Sequence, residues 1–308
     1  MKIAVLGCTG QIGRCLVRAF TSQHELLLHA RRPQAMQNWL DANGLSARVR
    51  DLSDFPSGDV DLIINAIGDG APGKIRAAGS SIVETTERFD HQCLNYLKRN
   101  PGCGYIFMST GRIYGEAYEA AQSPDPQPLP MHLLSEQPYP LAKLQAEHRH
   151  RQLPSHRIAD IRIFGYVSDE ISLDDDFLVA QILQALVNNL EFATTPRNFV
   201  RDYVGPEDLL ALIGNLVDAN IPNGAYDICS AGPVTKFELL QALARNFNFR
   251  YDIEGVPEMC GMVPELITRH CGSHGIGYLP GRTSLENVLG TTEAILRRTK
   301  APDRCDVL

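Results

Sequence analysis

A doubly wound α/β fold on a parallel sheet is predicted for this 308-residue chain by three observations. Short, continuously apolar runs recur through the first half, as strands covered on both faces require. Segments of helical spacing lie between them, which is the alternation of a parallel sheet. A glycine-rich turn, Gly7-Cys8-Thr9-Gly10-Gln11-Ile12-Gly13, follows the first run directly and opens the first helical segment.

In chain order the strands are expected at residues 3–6, 25–30, 47–50, 61–66, 104–109 and 159–164, each bounded by turn residues. Residues 11–23, 82–98 and 141–152 have the length and spacing of helices. Residues 68–80 read as a Gly- and Ala-rich loop, and residues 118–138, rich in Pro, Gln and Ser, as a surface loop. Beyond residue 165 the order loosens, with amphipathic helices at 177–190, 206–219 and 236–246 and short extended pieces between them. The expected division is a dinucleotide-binding, Rossmann-like domain over 1–165, to which the chain returns around 192–217, and a smaller C-terminal α/β substrate-binding domain over 166–308.

Composition narrows the classes of function. With 44% hydrophobic and 21% charged residues the chain is neither disordered nor fibrous. A net charge of −7 and the lack of a basic run argue against nucleic acid or an anionic membrane surface as partner. No apolar stretch reaches the roughly 18 residues of a membrane span. The first segment enters a glycine turn after one Lys, and so reads as a buried strand rather than a signal peptide. Eight cysteines without a CxxC pair suit free thiols, and with them a cytoplasmic location.

The glycine turn carries the first piece of chemistry. A dinucleotide pyrophosphate needs a backbone that turns tightly and approaches closely, followed by a helix N-terminus whose free N–H groups and dipole favour anions. The acid that usually ends the second strand and binds the ribose hydroxyls is replaced by Arg31 and Arg32. Two guanidiniums suit a 2′-phosphate, so NADP(H) is expected over NAD(H). Asp51, after the third strand, is a candidate for the adenine, although an exposed loop acid explains it nearly as well.

Tyr139 and Lys143 stand one turn apart at the start of a helix that Pro140 is suited to open, and can face one cleft. An ammonium close to a phenol favours the phenolate and lowers a pKa otherwise near 10, which makes the phenol useful in proton transfer. Upstream, the apolar strand ending in Ser109-Thr110-Gly111-Arg112 places hydroxyls at the carboxyl end of a central strand, where such folds bind ligands.

Together these motifs resemble the extended short-chain dehydrogenase/reductase family of NAD(P)-dependent nucleotide-sugar epimerases, dehydratases and reductases. Gly7-x-x-Gly10-x-x-Gly13 is similar to its cofactor loop, Ser109-Thr110 with Tyr114-Gly115 to its hydroxyl motif, and Tyr139-x-x-x-Lys143 to its catalytic pair. Val200-Arg201-Asp202-Tyr203-Val204 with Asp208, Gly224-Ala225-Tyr226-Asp227-Ile228 and Gly277-Tyr278-Leu279-Pro280 with Ser284-Leu285-Glu286 also fit. The resemblance implies a catalytic set of Thr110, Tyr139 and Lys143. It implies cofactor contacts from Gly7, Thr9, Gly10, Gln11, Ile12 and Gly13, from Arg31, Arg32, Asp51 and Leu52, and from Ala66, Ile67 and Gly68 beside Tyr139 and Lys143. Ser109, Thr110, Arg112 and Arg201 would meet the substrate, with Arg201 on its diphosphate. A homodimer through the helices 82–98 and 141–152 is implied as well.

Two departures qualify the resemblance. Family dehydratases carry Thr-Asp-Glu where this chain has Thr110-Gly111-Arg112, so a 4,6-dehydratase is disfavoured. The family's Arg-x-x-Asn-x-x-Gly stands here as Arg162-Ile163-Phe164-Gly165-Tyr166, without the asparagine. Three functions remain: NADPH-dependent reduction of a keto-sugar nucleotide, which leads; nucleotide-sugar epimerisation with a recycled cofactor; and a non-catalytic NADP(H)-binding sensor. Cys260, His270, Cys271 and His274 match no zinc spacing, so no metal is expected. His148-Arg149-His150 reads as a solvated helix face, and Lys74 and Arg76 as weak candidates for a phosphate.

Overall fold

The computed structural model describes residues 1–56, 58–68, 70–115, 128–255, 258–259 and 276–300. Six strands come from the first half: β1 (Lys2–Leu6), β2 (Glu25–Ala30), β3 (Arg48–Asp51), β4 (Leu62–Asn65), β5 (Gly104–Thr110) and β6 (Ile158–Ile163). Three short strands, β7 (Glu191–Thr194), β8 (Arg197–Asn198) and β9 (Val200–Arg201), lie outside the large sheet, and β10 (Gly224–Ile228) returns to it. The sheet order is β10-β6-β5-β4-β1-β2-β3, and every pair is parallel. The order in which the chain adds strands reverses between β1 and β4, the place where such sheets open a crevice at their carboxyl ends.

The helices are α1 (Gln11–Phe20), α2 (Pro33–Ala42), α3 (Pro72–Ala78), α4 (Ser81–Arg99), α5 (Pro138–Arg151), α6 (Leu178–Val187), α7 (Pro206–Asp218), α8 (Lys236–Asn246) and α9 (Ser284–Lys300). Strand alternation divides the apolar runs between two cores. Ile3, Val5, Leu26 and Leu28 pack with Leu16, Met36, Leu40, Leu212 and Leu216 of α1, α2 and α7. Ala4, Leu6, Leu27 and Ile63 pack instead with Phe89, Leu94 and Leu97 of α4 and Ala146 of α5. A third core joins α6, α8 and α9 through Ile182, Leu183, Leu239, Leu243, Val288 and Ile295. Around it β7 pairs with β12 (Arg250–Ile253), β9 with β11 (Val234–Thr235) and β8 with β13 (Glu258–Met259).

Several expectations need correction. Residues 68–80 contain α3, whose seven residues bury no side chain fully and so carry little hydrophobic signal. Within the expected return segment 192–217, residues up to Arg201 pair in the small sheets, whereas Val204 and α7 pack on the first core and β10 then joins the large sheet. In the expected loop 118–138, residues 118–127 lie outside the described residues, while Met131–Leu134 form a short 3-10 turn with Leu134 buried against Ile113, Tyr114 and Leu144. His150 is no solvated residue but is fully buried. Cys8, Cys15, Cys93 and Cys103 are free and buried, yet Cys229 is disulfide-bonded, so the thiols are not all free. Cys260, His270, Cys271 and His274 also lie outside the described residues. Among the described residues no helix is long and apolar enough to cross a membrane.

Candidate functional site

The three glycines of the first turn do different things. Gly7 has φ +76°, and a Cβ there would lie 2.5 Å from the Ala66 carbonyl oxygen at the end of β4. A Cβ on Gly13 would lie 2.3 Å from the Gly7 oxygen, so both glycines let the turn pack against its own neighbours. Gly10 meets nothing closer than 3.5 Å and lies on the cleft. It is the N-cap of α1 with no side-chain bond to the first turn, and no acid follows, so the turn's N–H groups and positive dipole end are open to an anion.

The cleft has a volume of about 1210 Å³ and runs from this turn across the carboxyl ends of β1, β4 and β5 to the second half of the chain. It brings together Thr9, Gly10, Gln11, Ile12, Gly13, Arg32, Ala66, Ile67, Gly68, Ser109, Thr110, Arg112, Tyr139, Lys143 and Arg201 of the expected set. Arg31 is exposed and outside that lining. Asp51 and Leu52 are outside the lining too: Asp51 caps a 3-10 turn by accepting from Ser53 N–H (2.8 Å) and Oγ (2.6 Å), bonds that lower its pKa, and Leu52 is buried in the core.

At the floor of the cleft, Lys143 Nζ donates to the carbonyls of Met108 (2.7 Å) and Ile67 (3.0 Å) and stands 4.4 Å from the Phe107 ring centroid and 5.9 Å from that of Tyr139. Burial pushes its pKa down to about 8, against the opposing pull of Asp90, Asp160 and Glu147. Gly68, at φ +140°, leaves room here, since a Cβ would come 3.3 Å from Nζ and 3.8 Å from the Tyr139 ring. Thr110 Oγ1 accepts from Arg112 N–H (3.2 Å), which leaves its own hydroxyl proton to donate. Thr110, Tyr139 and Lys143 therefore share one floor.

Ser109 lines the cleft, but its hydroxyl is engaged behind it. Its hydroxyl donates to Glu147 Oε1 (2.5 Å), and Glu147 is gripped by Arg162 through Nε and Nη2. Arg162 also donates to Tyr114 Oη (2.7 Å), which in turn donates to Asp227 (2.8 Å). The expected substrate contact of Ser109 is thus committed to a buried network that joins α5, β5, β6 and β10. Burial raises the Glu147 pKa, with Arg162 opposing.

The far wall comes from the second half. Arg201 lies 4.4 Å over the Phe199 ring and donates to the Val200 carbonyl (2.9 Å). Gln11 donates to Ser168 Oγ (3.1 Å), and Glu170 pairs with both Arg14 and Arg18, whose guanidiniums each stand 5.5 Å from the centroid of Trp39, a lining residue. Lys74 and Arg76 pair with Asp175 (2.7 Å) and Asp176 (3.0 Å) across the mouth, which gives both cations partners within the protein. Trp39, Glu147, Phe177 and Phe199 were missed from sequence. Glu147 alone carried a signal, as an acid one turn after Lys143 on the same face.

Residues 3–228 match the model of the NAD dependent epimerase/dehydratase family. The chain belongs to that family. Its fold is similar to UDP-N-acetylglucosamine 4-epimerase from Methanobrevibacter ruminantium M1 in complex with UDP-N-acetylmuramic acid (TM-score 0.73, 16% identity, 96% of this chain and 98% of that one). UDP-glucuronic acid 4-epimerase from Bacillus cereus, in complex with UDP-glucuronic acid and NAD, is comparable (0.71, 17%, 97% and 99%). So is dTDP-glucose 4,6-dehydratase from Bacillus anthracis in complex with NAD (0.70, 14%, 95% and 96%). No match is found among curated proteins.

For an epimerase/dehydratase-family chain the residues present fit a nicotinamide dinucleotide. The uncapped first turn of α1, the open space at Gly10 and the room kept at Gly68 form a continuous cradle on one side of the cleft. The dehydratase departure also has a physical counterpart. A Cβ on Gly111 would lie 2.2 Å from Phe164 Cδ1, and that ring stacks on Tyr114 at 5.9 Å and 2°. Phe164 thus fills the space that an acid at position 111 would need.

Proposed function

We propose that the chain is an NADP(H)-dependent oxidoreductase that reduces the carbonyl of a keto-sugar nucleotide. The observation that carries this reading is the convergence of Thr110, Tyr139 and Lys143 on the floor of one cleft whose other end holds Arg32. The first turn of α1 would hold the pyrophosphate and Arg32 the 2′-phosphate, with Lys143 near the nicotinamide ribose. When bound, the reduced nicotinamide supplies hydride to the carbonyl carbon. Tyr139 donates the proton to the carbonyl oxygen, while the Thr110 hydroxyl hydrogen-bonds that oxygen and orients it. The Lys143 ammonium, fixed by two carbonyls, favours the phenolate left on Tyr139. Arg201, on the far wall, would meet the substrate diphosphate. Gly111 and Phe164 leave no acid beside Thr110, so elimination of water has no proton acceptor there.

A second reading, nucleotide-sugar epimerisation, is favoured by the full-length likeness to 4-epimerases and by the NAD bound to UDP-glucuronic acid 4-epimerase. It would use the same three residues with the cofactor retained. A homodimer through α4 and α5 belongs to either reading.

Incubating the purified chain with 4-keto-6-deoxy nucleotide sugars and NADPH tests the choice. Stoichiometric loss of the nicotinamide absorbance is expected. Inversion of an alcohol-level nucleotide sugar with no net change in NADPH would overturn reduction in favour of epimerisation.

A further inference from the structure

On the sheet face covered by α4 and α5, both ring nitrogens of His150 meet carboxylates. Nδ1 lies 2.6 Å from Asp160 Oδ1 and Nε2 lies 2.6 Å from Asp90 Oδ1. A carboxylate only accepts and a neutral imidazole has one donor, so two such bonds call for the imidazolium. Arg149 Nε (2.9 Å) and Arg151 (2.5 Å) hold the other oxygens of Asp90 and Asp160. His150, Asp90 and Asp160 are fully buried, where unpaired charges would be costly.

From Asp90 the bonding runs on toward the cleft. Tyr105 Oη donates to Asp90 Oδ1 (3.2 Å) and accepts from Asn65 Nδ2 (3.0 Å). Asn65 Oδ1 accepts from Ile67 N–H (3.0 Å), and the Ile67 carbonyl accepts from Lys143 Nζ. A second route is the Phe107 ring, which lies edge-on to His150 at 5.3 Å and 4.4 Å below the Lys143 ammonium.

We propose that His150 is a positioning residue for Lys143. As an imidazolium it fixes Asp90, whose bonds through Tyr105 and Asn65 hold the backbone that the ammonium grips, and its charge sets part of the field that the ammonium feels. The proposal rests on the reading of Lys143 as the partner of Tyr139 in proton transfer. Its geometry is independent of turnover. The titratable and charged groups facing the cluster are Asp90 and Cys93 of α4, Tyr105 of β5, Asp160 of β6, and Arg149 and Arg151 of α5 itself. Loss of the imidazole charge leaves the two carboxylates balanced by the two arginines alone. The field at Lys143 then turns more negative and its ammonium persists to higher pH.

The test is lysine 13Cε NMR on the full-length chain without added cofactor, with the Lys143 resonance assigned through Lys143→Arg. In His150→Gln, whose amide can still donate to one carboxylate, the Lys143 titration midpoint should rise by about 1 pH unit. A folded variant with an unmoved midpoint overturns the proposal, even if the chain turns over nucleotide sugars. A raised midpoint supports it, even if no nucleotide sugar is turned over and the functional reading fails. Should His150→Gln not fold, 15N NMR of the wild-type imidazole decides: protonation of both nitrogens through pH 8 supports the proposal, and titration near the ordinary 6.5 overturns it.

Discussion

The ammonium of Lys143 is tied, at 2.7 Å, to the carbonyl of Met108, two residues before Thr110 on the same strand. The helix that carries Tyr139 and the strand that carries the hydroxyl are thereby locked in register at the point where they meet. Exact mutual placement of such groups is what lets a proton move in step with chemistry at the neighbouring carbon.

Replacing the proton donor should separate binding from turnover. Tyr139→Phe is expected to keep cofactor affinity and to lose about 10²- to 10⁴-fold in kcat, the usual range for general acid-base help. Steady-state kinetics beside calorimetric titration with NADPH measure both quantities. An unchanged kcat would remove Tyr139 from the mechanism.

The two arginines at the end of β2 are not equivalent, because only Arg32 lines the cleft. Arg32→Ala should weaken NADPH binding about tenfold or more and leave NADH nearly untouched, as expected for loss of a charge-assisted contact to a phosphate. Arg31→Ala should change neither by more than about twofold. Equal losses for both cofactors at Arg32 would contradict a 2′-phosphate site there.

The contact between position 111 and Phe164 predicts an overpacking penalty. Gly111→Ala should cost about 1–3 kcal/mol in denaturant unfolding, and Gly111→Asp at least as much without any gain of dehydratase activity. Truncating the ring in a Gly111→Ala/Phe164→Ala double variant should recover part of the Gly111→Ala loss relative to Phe164→Ala. Purely additive effects would mean that the two sites do not compete for space.

Stability should depend on pH through two buried groups of opposite sign. His150 is raised to about 9 by Asp160 and Asp90 against the cost of its burial, so its contribution is complete below its unfolded value near 6.5 and is lost as pH rises through 9. Lys143 is lowered to about 8, so its cost is present below 8 and is relieved as pH rises toward 10.5. Scanning calorimetry should show Tm falling from pH 6.5 to 8 and then levelling. In Lys143→Met the fall should continue through pH 9.

The large sheet was legible because its strands are uninterrupted apolar runs, and the glycine turn and Tyr139–Lys143 pair because fixed spacing fixes geometry. Helices α2 and α3 were not, since α2 buries only Met36 and Leu40 and α3 buries no side chain fully. The buried face of α5 includes Lys143, Glu147 and His150, so its polarity imitates a solvated surface. A signal existed nonetheless: Asp160 stands amid Ile158, Ala159 and Ile161 in a buried strand, and an acid there demands a cation. Asp51 and Ser109 were assigned to ligands because their positions in the chain suited it. What position along a strand does not disclose is that a neighbour, Ser53 or Glu147, has already claimed the side chain.

Trp39 is the only tryptophan in the chain, and its indole borders the cleft in company with Arg14 and Arg18. The protein therefore contains a single indole fluorophore, which can be excited at wavelengths where its tyrosines do not absorb, placed at the Arg32 end of the cleft and sensitive to the charges around it. Emission from that one ring reports on the nucleotide end of the site without a label, so occupancy there can be followed in real time while the sugar end is varied freely.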